Sequence, residues 1–145
     1  MKAFMQPLQN LAEFEQIQKC AGENRGILEI SGCIESQKVH MMYGLSGLFP
    51  SHLILAEDEK RAKEIYEDYR FYDKEVYYYP AKDLLFFQAD IHGNLLIRQR
   101  MQVIKALLEK ERITVVTSID GCMDFLLPLE EIKKSLIHFE SDSPV

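Results

Sequence analysis

Tryptophan is absent from this chain, and cysteine is nearly so: Cys20, Cys33 and Cys122 stand far apart among 145 residues. An odd, scattered set excludes a disulfide framework, and without clustered spacing such as C-x2-C it offers no zinc site. The histidines, His40, His52, His92 and His138, are equally dispersed, so buried thiols and surface imidazoles are expected. No apolar run approaches the ~20 residues of a membrane helix, and the N-terminus has no secretory apolar core. The expected compartment is therefore the cytosol. Basic residues are outnumbered, 17 Lys and Arg against 23 Asp and Glu, giving a net charge of -6 and a pI near 5.2. That deficit excludes an autonomous nucleic-acid binder working through a broad basic face, though not a small basic patch. No internal repeat or low-complexity linker is visible.

What remains is ordinary: 47% hydrophobic and 28% charged residues, enough for one packed domain and too few for two. Leu11, Phe14, Ile17 and Ala21 mark one face of a first helix, stopped at Gly22. "GILEI" (Gly26 to Ile30) reads as a strand, Gln37 to Tyr43 as a helix, and "GLSGLFP" (Gly44 to Pro50) as a turn-rich connection. "SHLILA" (Ser51 to Ala56) is the clearest buried strand. Acids at Glu57, Asp58 and Glu59 open the next helix, where its dipole favours them. Ala62, Ile65, Tyr69 and Tyr72 then step by three and four along one face. "EVYYYP" (Glu75 to Pro80) is a third strand. After the irregular "DLLFFQAD", Ile97, Met101, Ile104 and Leu108 predict a long helix with that stripe inward. "ITVVTS" (Ile113 to Ser118) is a fourth strand, followed by a short helix over Asp120 to Leu127, one more short helix, and a final strand at "SLIHF". Continuous apolar strands alternating with helices predict a parallel sheet covered on both faces. The expected α/β domain spans 1–128, with 129–145 beginning a connection to something else.

One stretch carries chemical interest. "ISGCIESQKVH" (Ile30 to His40) has the spacing of the phosphate loop, G-x-x-x-x-G-K-[ST], between a strand and a helix. Gly32 opens it and Lys38 occupies the lysine position. Gln37 replaces the second glycine, Val39 replaces the hydroxyl residue that would ligate magnesium, and Glu35 puts a negative charge inside the loop. A working loop wraps phosphate with backbone N–H groups, and a carboxylate beside it repels the ligand. The loop is thus expected to hold no cofactor and no metal, and no catalytic residue is expected. A hydrolase of this kind also needs an acidic strand end to hold its metal. "LAEDE" (Leu55 to Glu59) comes closest, and it reads as a helix start.

Other features are weaker. Cys33 sits near a helix N-terminus, where thiols acidify, but Glu35 beside it makes the setting electronegative and a structural role is expected. Tyr77 to Tyr79 suit strand packing better than base stacking. Arg98, Arg100 and Lys105 would form a small basic stripe on the long helix, a candidate interaction surface, although such charges usually only solvate a helix.

The order of these segments resembles the N-terminal module of bacterial transcription-repair coupling factors (Mfd), which is similar in turn to the DNA-repair protein UvrB. A spoiled phosphate loop precedes a helix with the pattern A-x-x-[LI]-x-x-D-[LY]-x-x-[FY], matched by Ala62, Ile65, Asp68, Tyr69 and Tyr72. A [FY]-P-x-x-[ED]-L segment follows, matched by Tyr79, Pro80, Asp83 and Leu84, and then a helix with a Q-R pair, Gln99 and Arg100. A strand, a short helix and a proline close the pattern over Val115 to Pro128. The resemblance covers roughly Ile27 to Phe139. UvrB-like sequences keep an intact loop whereas coupling factors carry a degenerate one, so the resemblance makes this loop a relic. "FFQADIHGN" departs from the family, which often has Ser-Pro there.

The resemblance implies a degenerate P-loop fold and a non-catalytic fragment of a longer parent. That parent would use ATP and magnesium elsewhere to push stalled RNA polymerase off damaged DNA and to recruit UvrA for excision repair. The UvrA-recruiting insert, the polymerase-binding domain and the translocase would all lie beyond Val145. The fragment's own partner would be the rest of the parent chain, with no membrane involved. The residues alone leave a different reading open: a small standalone α/β nucleotide- or phosphate-binding enzyme using Lys38.

Overall fold

A computed structural model describes residues 2–23, 26–82 and 90–135 of the chain. Its central strand is the run richest in β-branched residues, which fit a pleated surface. This strand, β3 (Ile113–Ser118), is buried at every position. The other strands, β1 (Ser51–Ala56) and β2 (Val76–Tyr79), pair with it on either side, both parallel, in the order β1-β3-β2. Leu53 lies opposite Val115, Ala56 opposite Ser118, and Tyr79 opposite Thr117. Among the described residues the fold is therefore an α/β three-stranded parallel sheet flanked by helices.

One face is covered by α4 (Glu59–Tyr69), whose start is fixed by the Asp58 carboxylate accepting the Arg61 backbone N–H at 2.7 Å. Its inward stripe, Ala62, Ile65 and Tyr69, follows the predicted three- and four-residue spacing and packs on Ile54, Ala56, Val76 and Val116, whereas Tyr72, predicted to continue it, lies half-buried in the turn after the helix. Beside it lies α3 (Glu35–Leu45), which adds Val39 and Tyr43 to that core. The far side of α3 turns Met41 toward Leu8 of α1 (Lys2–Gln9) and Phe14 of α2 (Phe14–Glu23). This three-helix contact needs a glycine. A Cβ on Gly44 would stand 2.5 Å from Leu8 Cδ1 and 2.9 Å from Phe14 Cζ. The opposite face of the sheet takes α5 (Asp90–Glu109), through Val103, Ala106 and Leu107 on Ile113, Val115, Tyr77 and Tyr79. Two short helices, α6 (Ile119–Cys122) and α7 (Leu129–Ser135), follow β3.

Several expectations are corrected. Gly26–Ile30 joins no ladder, and Ile27 is 98% exposed. An apolar run becomes a strand only where a neighbour takes its N–H and C=O groups, and no described strand lies beside this one. The first helix of the sequence reading is α2, which starts only at Phe14; Leu11 is exposed in the turn before it, and α1 is a further helix ahead of that turn. On α5 the stripe is rotated: Ile104 is buried, but Ile97 and Met101 are 57% and 50% exposed. The helix after β3 has only four residues, because Phe125, Leu126 and Leu127 find no surface to cover them and stay exposed. "DLLFFQAD" falls largely, and "SLIHF" almost wholly, outside the described residues. Among those described, no helix is long and apolar enough to cross a membrane.

Candidate functional site

Parallel α/β sheets hold ligands at the carboxyl ends of their strands, and the Gly32–Val39 loop enters at that end. Gly32 has φ 82°, a left-handed conformation that costs glycine little. Beyond it the loop closes early. Helix α3 begins at Glu35, inside the spacing that a phosphate loop would keep open. The Ile34 N–H donates to Gln37 Oε1 at 3.1 Å, and the Lys38 N–H donates to Ile34 O at 3.0 Å. Gln37, the residue in place of the second glycine, thus caps the helix from its third position. The Ile34 N–H, a backbone donor that a nest would aim at phosphate, is thus spent within the chain.

The charges close the same way. Lys38 Nζ donates to Glu35 at 2.6 Å, and the Arg61 guanidinium, brought over by α4, contacts the other Glu35 oxygen. Arg61 also donates to Glu64 at 3.1 Å. The hydrogen bond from Lys38 holds the Glu35 carboxyl below its usual range, helped by the charge of Arg61. Glu64 first, and Glu35 with it, push the Arg61 guanidinium up. Exposed pairs of this kind add little stability; their effect is on charge. Lys38 and Arg61 stand among Glu35, Glu57 and Glu64, so the local balance is negative. The cleft between α3 and α4, lined by Glu35, Lys38, Val39, Met42, Glu57 and Arg61, encloses about 210 Å³. That lies below the ~300–1,000 Å³ of ordinary ligand pockets. Val39 is buried and contributes packing where a hydroxyl would meet magnesium.

Along the rest of the carboxyl edge the protein again satisfies itself. Glu59, in the first turn of α4, accepts from the Tyr78 hydroxyl, from the Ala81 N–H at 3.0 Å and from Ser118 Oγ at 2.5 Å. Burial and this carboxylate together push the Tyr78 hydroxyl far above its ordinary pKa. Ser118 Oγ accepts in turn from the Gly121 N–H at 3.1 Å, and Thr117 Oγ1 donates to Tyr79 O at 2.7 Å. Spacing gave no sign of this Glu59 junction, because its partners come from β2, β3 and the segment after β2.

The basic stripe does not assemble. Arg98 is exposed, and Lys105 is exposed beside Glu109 at 3.8 Å. Arg100 is buried. Its guanidinium donates to Pro80 O at 2.8 Å and to Asp124 at 2.7 Å, and lies 4.2 Å from the centre of the Tyr79 ring. It ties α5 to the ends of β2 and α6. Cys33 is half-buried and free, and Tyr77, Tyr78 and Tyr79 are all half-buried, packed rather than offered as stacking platforms. Among the described residues no three His, Cys, Asp or Glu gather as metal ligands would. Compared with family models, curated proteins and solved structures, the chain matches none.

Proposed function

We propose that this chain is a non-catalytic, structural module at the N-terminal end of a transcription-repair coupling factor, with a degenerate P-loop fold like that of the first UvrB domain. The observation that carries this reading is the Glu35 junction. At the position where a nucleotide-binding loop would hold phosphate, a carboxylate of the chain itself contacts both Lys38 and Arg61. On this reading the loop keeps its place ahead of α3 while a side chain of the chain itself has replaced its ligand. The segment order described above supplies the family. In that reading ATP and magnesium belong to other domains of the parent, and this module is the scaffold from which the UvrA-recruiting insert projects.

Calorimetric titration with ATP and magnesium is the direct test, and it should give no heat above dilution. A micromolar dissociation constant would overturn the relic reading and favour a standalone enzyme using Lys38. The family is tested separately, by reading the gene beyond Val145: a continuing frame that encodes a second, intact G-x-x-x-x-G-K-[ST] is expected.

A further inference from the structure

We draw no further inference here: the strongest candidate, the exposed apolar surface patch of Met123, Phe125 and Leu127 in the segment after α6, is an unpartnered face, and nothing in the structure shows what covers it.

Discussion

Single side chains decide what the Gly32–Val39 turn of this protein does. Glu35 is one glutamate among many in the sequence; in the fold it is the anion that Lys38 and Arg61 share. His52 is a second case. Its Nε2 is buried without a hydrogen-bond partner among the described residues. Burial first, and the charge of Arg112 second, press its pKa below the ordinary histidine value of 6.5, against a weaker pull from Asp73. The unfolded chain therefore binds this proton more readily than the folded one, so stability rises with pH through that range. The contribution is complete above 6.5 and is lost as pH falls through it toward the depressed folded value. Wild type should lose melting temperature relative to His52→Gln as pH drops from about 7.5 to 5. Glu35 and Glu75, both held below the ordinary carboxylate value of 4.5, begin to lose their contributions only below that value, whereas the His52 contribution starts to fall at 6.5. A melting-temperature difference that is flat with pH would refute the assignment.

At the scale of elements, α5 shows where periodicity misleads. The stripe Ile97, Met101, Ile104 and Leu108 is regular, yet the covered face is Arg100, Val103, Ile104 and Ala106. The two differ by about 100°, the turn of a single residue. A helix rich in aliphatic residues offers more than one apolar stripe, and only the sheet it lands on selects between them. Ile104→Ala should cost about 2–5 kcal/mol, as deletion of a buried aliphatic group does. Met101→Ala should stay within about 0.5 kcal/mol, as exposed substitutions do. Urea unfolding of the two variants measures both, and equal losses would mean that the face is wrongly assigned. A sharper case lies at α6. A Cβ on Gly121 would stand 2.3 Å from Thr117 Oγ1 and 3.3 Å from Tyr79 O. Gly121→Ala must displace the threonine hydroxyl and its bond to β2, and overpacking of this kind costs about 1–3 kcal/mol.

For the whole molecule the governing fact is its charge. A net charge of -6 gives no field to draw DNA, and the one basic cluster on α5 loses Arg100 to the interior. Fluorescence anisotropy should show negligible binding to duplex DNA at physiological salt. If the proposed function is right, the chain should also fail to capture UvrA in a pull-down, whereas a chain extended through the insert should capture it and still not hydrolyse ATP. Tight UvrA capture by the short chain would move the recruiting surface onto this domain.

The strands β1, β2 and β3, the helix α4 with its acidic start and most of its inward stripe, and the parallel α/β class could all be read from the sequence. Each rests on local physics: β-branched runs, three- and four-residue spacing, and acids at a helix start. So could the departure of Gly32–Val39 from the phosphate-loop pattern, since a missing glycine and a missing hydroxyl are matters of residue type. What took their place could not be read. Arg61 reaches Glu35 across 26 positions of chain, Ser118 reaches Glu59 across 59, and Arg100 reaches Asp124 across 24. Which face of α5 turns inward, and whether Gly26–Ile30 pairs, depended equally on neighbours distant in sequence. Local pattern states what a segment is able to form. Only tertiary structure supplies the partner that decides whether it does, because burial and hydrogen-bond satisfaction belong to pairs of segments and not to either one alone.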